Sequence, residues 1–205
     1  MKREIIDEEF DRLYAEKSDI NEHLPTLKKY AEKCEHITEM GFRTGVSCVA
    51  LLAGRPKKMV SYDILDNWMG IRHQDRVKTQ VPTGTDWDFI VADTRTLIME
   101  ETDFLFIDTL HDFEQLKIEL ARHAGRVRKY IGFHDIVSFG RRGESGGNKG
   151  LMNAIEEFLY PSKSSFDSMI SPSSGSKNKN PDWEVAEQFL NCNGLLILRR
   201  INESA

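Results

Sequence analysis

The chain has no run approaching the eighteen or so consecutive apolar residues that a membrane helix needs. Its opening residues, MKREIIDEEF, hold no apolar stretch of the kind a secretory leader carries. Neither a membrane partner nor an exported form is expected. Cysteine is scarce. Cys34, Cys48 and Cys192 form an odd set at scattered spacing, which excludes a disulfide framework and a paired-cysteine zinc site. A reducing cytoplasm is the natural compartment. A basic excess is also lacking: 28 Lys and Arg stand against 33 Asp and Glu, for a net charge of -5. Nucleic-acid binders normally present a basic face, so no nucleic-acid partner is expected. The short clusters Lys57-Lys58, Arg141-Arg142 and Arg199-Arg200 read as solvated surface. No internal repeat is visible, and the GxGxxG signature of dinucleotide enzymes is missing.

What is present is an alternation. At 205 residues the chain suits one domain with a sizeable core. Residues 4–34 read as two helices, with Ile6, Phe10 and Leu13 and then Leu24, Leu27 and Ala31 at helical spacing. His36–Met40, Met59–Ile64, Trp87–Ala92, Asp103–Asp108 and Tyr130–Phe133 read as five strands. Helices are expected over Ser47–Ala53, where Cys48 should be buried, and over Asp112–Ala124, where His123 should be structural. Residues 66–82 are expected to be helical and then loop, with His73 and Trp68 either roofing a ligand or lying on plain surface. Alternating strands and helices imply a parallel sheet covered on both faces. Two closing strand-like runs, Trp183–Phe189 and Leu195–Arg200, are joined through Asn191-Cys192-Asn193-Gly194, a hairpin signal that adds an antiparallel strand. The fold class expected is therefore α/β, a Rossmann-like doubly wound sheet of seven mostly parallel strands with an antiparallel C-terminal strand and N-terminal helices. Its parts are helices over 1–35, a ligand-binding core over 36–137, flexible loops over 140–150 and 162–181, and a hairpin over 183–201.

Open α/β sheets bind ligands at the carboxyl ends of their strands. This chain places there Glu39 with the turn EMGFRTG, then Asp63, Asp93, Asp108 with His111, and His134-Asp135. One acid after a strand is often only a helix cap; a succession of five such strand ends is not. A glycine turn followed about twenty residues on by an acid is how a βαβ unit holds a nucleoside. Arg43 stands where a middle glycine would let backbone approach a pyrophosphate, and Glu39 disfavours an anion. Both features suit a ligand bearing a cation, such as an amino acid's ammonium group.

EMGFRTG resembles the first motif of class I S-adenosylmethionine-dependent methyltransferases. IDTLHDFE, residues 107–114, followed by GFHDI, residues 132–136, resembles more narrowly the macrocin-type and cephalosporin-biosynthesis-type O-methyltransferases. The resemblance spans residues 20–160 and the closing hairpin. It implies S-adenosylmethionine as cofactor. Glu39, Gly41, Phe42, Thr44 and Gly45 would lie around its methionine end, and Asp63 would take the ribose hydroxyls through both oxygens. Asp93 and Thr94 would meet the adenine, with Asp108 close by. Asp108 and Asp135 match positions that bind Mg2+ in metal-dependent relatives, His134 standing in place of an acid, and His111 matches a proposed base. The reaction implied is O-methylation of a small-molecule hydroxyl, on a sugar or glycosylated metabolite.

The chemistry is consistent with that set. An alcohol must lose its proton as it attacks a sulfonium methyl, and a histidine in reach can accept it. A dication held by carboxylates can lower the hydroxyl pKa instead, although an imidazole suits magnesium poorly. His111 could equally cap or pack, and His134 could be a hydrogen-bonding support. The glycine-rich loop with Arg141, Arg142 and Glu144 could close over the acceptor, its arginines meeting a carboxylate or phosphate. A nicotinamide-dependent oxidoreductase and a non-catalytic cofactor-binding module remain alternatives. Nothing in the sequence excludes a homo-oligomer.

Overall fold

A computed structural model describes residues 4–161 and 180–201. The expected loop over 162–181 lies outside the described residues except for positions 180 and 181. The element order is α1 (Ile5–Ala15), α2 (Leu24–Ala31), β1 (His36–Met40), α3 (Val46–Ala53), β2 (Lys58–Asp63), α4 (His73–Lys78), β3 (Asp86–Val91), β4 (Thr102–Ile107), α5 (Phe113–His123), β5 (Val127–His134), α6 (Leu151–Leu159), β6 (Trp183–Phe189) and β7 (Leu195–Arg200).

The seven strands form one sheet in the order β3-β2-β1-β4-β5-β7-β6. β1 to β5 pair in parallel. β7 is antiparallel to both β5 and β6, so it alone runs against the rest. The chain order reverses between β1 and β4, which opens a crevice above their carboxyl ends. Every expected strand is present, within one residue at most ends; β5 is the exception, starting three residues earlier, at Val127.

Burial on both faces explains the near-continuous apolar strands. In β4, Phe104 and Phe106 point into one core with Ile6, Leu24, Leu27, Leu51 and Leu52 from α1, α2 and α3. Leu105 and Ile107 point into the other, with Leu116 and Leu120 from α5 and Ile155 from α6. α3 is buried over its length, Cys48 included, as a helix wedged between a sheet and two other helices must be. The predicted buried face of α5 holds, with Phe113, Leu116, Leu120 and His123 all inside. His123 is structural, bonding the Thr94 carbonyl at 2.8 Å. The closing turn puts Cys192, Asn193 and Gly194 at positive φ, and Gly194 N–H donates to the Asn191 carbonyl at 2.8 Å.

Two expectations need correction. Residues 66–82 run in the opposite order, irregular first and helical second. A turn over Trp68–Ile71, with Gly70 N–H on Asn67 Oδ1 at 3.2 Å, precedes α4. Helix α6 was not foreseen, although Leu151, Ala154, Ile155 and Leu159 carry a helical buried stripe. The 140–150 segment has no helix or strand, as expected, and it is hydrogen-bonded to the His111–Asp112 turn before α5 and to the start of α6. No helix among the described residues is long and apolar enough to cross a membrane.

Candidate active site

The carboxyl ends of β1 to β5 surround a cavity of about 620 Å³. Gly41, Asp63, Asp93, Thr94, Asp108, His111 and Asp135 line it, so the structure brings together most of the residues that sequence spacing singled out. Glu39, Phe42, Thr44 and Gly45 lie off it and need another explanation.

The glycine turn is built from backbone outward. Gly41 has φ +92°, and a Cβ there would lie 2.0 Å from the Asp108 carbonyl oxygen, so only glycine lets the turn pass the end of β4. Asp63 then ties the turn down. Its Oδ2 accepts the Phe42 and Arg43 amides at 3.0 and 2.8 Å, and its Oδ1 accepts the Leu65 amide at 3.0 Å. Both oxygens are thus already engaged, and a ligand hydroxyl would meet only their remaining lone pairs.

Glu39 is a correction. It is fully buried, accepting Ser47 Oγ at 2.6 Å and Ser61 Oγ at 2.7 Å. Burial pushes its carboxyl up to about 7 despite those two hydroxyls. Phe42 packs on Trp87 and Phe89 instead of facing the cavity. Gly45 abuts the Phe42 ring and Val77. Thr44 faces a separate groove with His73 and Arg12, and its carbonyl accepts Arg76 Nη2 at 3.1 Å. These four residues support the turn from beneath. Trp68, by contrast, reaches the cavity, with the Arg43 guanidinium 5.0 Å from its ring centre.

At the end of β3, Asp93 is chelated by the Arg95 guanidinium at 2.7–3.2 Å, which holds its carboxyl below the ordinary value. The Thr94 hydroxyl turns inward to Glu119 at 2.5 Å. Glu119 is fully buried on α5 and also accepts Thr109 Oγ1 at 2.9 Å and Gln115 Nε2 at 2.7 Å. Burial raises its carboxyl, the three donors opposing the shift. Glu119 went unrecognised in the sequence. Its signal was an acid at a position that the spacing of Phe113, Leu116, Leu120 and His123 assigns to the apolar face.

The ends of β4 and β5 carry an interlocked acid–imidazole cluster. His111 Nε2 lies 3.1 Å from Asp108 Oδ1 and 3.0 Å from Asp135 Oδ2. His111 Nδ1 lies 2.9 Å from Glu144 Oε2, and its ring stacks on Phe139 at 4.9 Å and 4°. Burial would lower His111, but the carboxylates outweigh it and raise the imidazole to about 10. His134 behaves alike and is also raised to about 10. Burial would raise Asp108 and Asp135, but the imidazoles hold both below their ordinary value. Asp135 sits at φ +60°, a left-handed conformation that non-glycine residues adopt at some cost and that functional sites retain.

His134 settles its own tautomer. Nε2 points at two carbonyls, of Asp19 at 3.2 Å and Cys192 at 3.1 Å, which can only accept, so Nε2 carries a proton. Nδ1 therefore faces Asp108 Oδ2 and Asp135 Oδ2 at 3.5 and 3.4 Å. These are ion-pair distances rather than formed hydrogen bonds; Nδ1 and Asp135 Oδ1 are buried with no hydrogen-bond partner among the described residues. A proton or a cation is what that arrangement calls for. One ligand atom each from Asp108, His111 and Asp135 lie within 4.8 Å of one another. That set holds His111 where His134 was expected, and its one imidazole beside two carboxylates suits a borderline transition dication better than magnesium.

The arginines expected to meet a substrate anion lie off the cavity. Arg141 pairs with Glu156 of α6 at 2.7 Å, and neither Arg141 nor Arg142 lines the cavity. From that loop it is Glu144 that reaches the site.

No family model matches the chain, and no curated protein matches it. Solved structures do. An O-methyltransferase from Bacillus cereus, in complex with SAH, superposes with a TM-score of 0.58 at 15% identity, over 98% of this chain and 92% of that one. The O-methyltransferase TomG from Streptomyces achromogenes, involved in tomaymycin synthesis and in complex with SAM, gives 0.58 at 12% identity over 98% and 92%. An SAH-bound methyltransferase from Podospora anserina gives 0.54 at 16% identity over 98% and 89%. At such identities the likeness establishes the fold: a seven-stranded mixed sheet of the Rossmann-like methyltransferase kind.

Proposed function

We propose that this chain is an S-adenosylmethionine-dependent methyltransferase that methylates a hydroxyl of a small molecule, a sugar or glycosylated metabolite being the leading class. The observation carrying the reading is the juxtaposition, in one cavity, of the Asp63-braced glycine turn and the Asp108–His111–Asp135 cluster. The first suits a nucleoside, and the second suits proton removal from a hydroxyl.

When bound, S-adenosylmethionine supplies a methyl group on a sulfonium, ready for in-line attack. Gly41 would lie at its methionine end, Asp63 at the ribose hydroxyls through its free lone pairs, and Asp93 with Thr94 at the adenine. Asp108 stands between the two ends of the cavity. Glu39, Phe42, Thr44 and Gly45 act beneath the turn rather than on the ligand.

His111 is the candidate base, with a condition. At neutral pH its imidazole already carries both protons, since it is raised to about 10. It accepts a hydroxyl proton only after releasing one. Any cation placed beside Asp108 and Asp135 competes for those carboxylates and lowers the imidazole pKa, which makes the release possible. A divalent ion held by Asp108, Asp135 and His134 would do so, leaving His111 free as the base, and would also acidify a bound hydroxyl. A cytoplasmic, single-domain enzyme is part of the same reading.

The test is calorimetric titration with S-adenosylhomocysteine and with NADH, followed by a screen of hydroxylated acceptors using methyl-labelled cofactor. Binding of S-adenosylhomocysteine and label transfer to a hydroxyl are expected. Binding of NADH alone would favour an oxidoreductase, and cofactor binding with no transfer to any acceptor would favour a non-catalytic module.

A further inference from the structure

His111 is restrained on three sides. Asp108 and Asp135 hold Nε2, and both other restraints come from one segment after β5: Phe139 stacks on the ring, and Glu144 takes Nδ1 at 2.9 Å. That segment does not merely pass by. The Glu144 amide donates to the His111 carbonyl at 3.1 Å, and the Ser145 amide donates to Asp112 Oδ1 at 3.1 Å. Gly143 lies so close that a Cβ would sit 2.2 Å from Asp112 Oδ1. At its ends the segment is pinned by the Phe139 amide on the Asp135 carbonyl at 3.0 Å and the Leu151 amide on the Phe139 carbonyl at 2.9 Å. A glycine-rich strap is thus zipped onto the His111–Asp112 turn, and Glu144 is the side chain it delivers.

Half a turn of the imidazole about Cβ–Cγ would exchange Nδ1 with Cδ2. Stacking on Phe139 does not resist that exchange, because the ring plane is unchanged. A carboxylate on Nδ1 resists it together with Asp108 and Asp135 on Nε2, and it alone keeps a proton on Nδ1, leaving Nε2 as the atom that faces the cavity acids. This is the relation between an orienting acid and its histidine in nucleophile–base pairs. Resting on the methyltransferase reading, we infer that Glu144 is a positioning residue. Through the docked strap it sets the ring orientation and the Nδ1-protonated form of His111, so that Nε2 is the nitrogen offered to the acceptor hydroxyl.

The test uses the ligand-free protein, so it does not depend on the acceptor. The exchange of the His111 Nδ1 proton with water is followed by imidazole NMR, beside the protection of the Ser145 amide. In Glu144→Ala the Nδ1 proton is expected to exchange roughly tenfold faster, through the loss of a charge-assisted hydrogen bond on the exposed side of the ring. Glu144→Gln retains an acceptor and is expected to restore slow exchange. Wild-type exchange in Glu144→Ala overturns the inference, as does failure of Gln to rescue. S-adenosylhomocysteine titration of the same proteins reports separately on the cofactor reading. Failure of the wild type to bind sinks that reading while the ring measurement stands.

Discussion

The two halves of the cavity use charge in opposite ways. At the nucleoside half, Asp63 spends its oxygens on three backbone amides and Asp93 is chelated by its neighbour Arg95. Those carboxylates hold a shape, fixed by peptide geometry and little concerned with protons. At the other half, Asp108 and Asp135 face both His111 and His134, and Glu144 faces the His111 ring, with the His111 amide also 3.5 Å from its Oε2. There the charges neutralise each other in a buried setting, and the proton inventory is what can change. On the proposed reading, a fixed binding end beside a titratable end is the arrangement group transfer needs, because binding tolerates no drift while chemistry requires a proton to leave.

The largest expected blow to this contrast is Asp135→Asn. It leaves the buried His134 and the half-buried His111 short of a counter-charge and should cost about 3 kcal/mol in urea unfolding. A loss under about 1 kcal/mol would mean the cluster is not interdependent. Gly41→Ala comes next, since the added Cβ meets the Asp108 carbonyl at a positive φ; a loss of about 2 kcal/mol is expected, with both halves disturbed together. Asp63→Ala should weaken S-adenosylhomocysteine binding roughly tenfold or more by calorimetry, by freeing the turn amides. An unchanged affinity would show that the recognition end is not shaped by Asp63.

The pH response sharpens the same contrast. His111 and His134 are raised from 6.5 to about 10 on folding. The folded state therefore binds more protons than the unfolded one between those values. Their stabilisation is complete below about pH 6.5 and fades as pH rises through 10, so the melting temperature of the ligand-free protein should fall across that window. The fall should be smaller in His134→Gln. In the smallest test, Glu39→Gln should leave S-adenosylhomocysteine affinity within about twofold, because the carboxyl sits on Ser47 and Ser61 under the turn. A large loss would return Glu39 to the ligand.

Much of this was legible in the chain. The apolar run of β4, buried on both faces, announces a parallel strand, and acids at successive strand ends mark the binding edge. Which way a side chain leaves that edge was not legible. Glu39 and Gly41 are two residues apart, yet one is sealed beneath the turn and the other lines the cavity. Pattern alone also passed over Glu119 and Glu144. The first required knowing that α5 buries its third face position against Thr94 and Thr109, and the second that a glycine-rich segment docks rather than waves. α6 is short and follows directly on that glycine-rich segment, so its Leu151, Ala154, Ile155 and Leu159 stripe spans only about two turns and gives a weak periodic signal.

By itself the sequence determined the sheet, its hairpin, and the strand ends at which Asp63, Asp93, Asp108, His111, His134 and Asp135 stand. Hydrophobic period and turn chemistry are local, and they set those features one segment at a time. Only the tertiary structure decided that His111 rests between three carboxylates, that Asp63 spends itself on the turn, and that Glu144 comes from 33 residues away to hold the ring. Those outcomes depend on distances between separate strands and loops, and no local pattern encodes them.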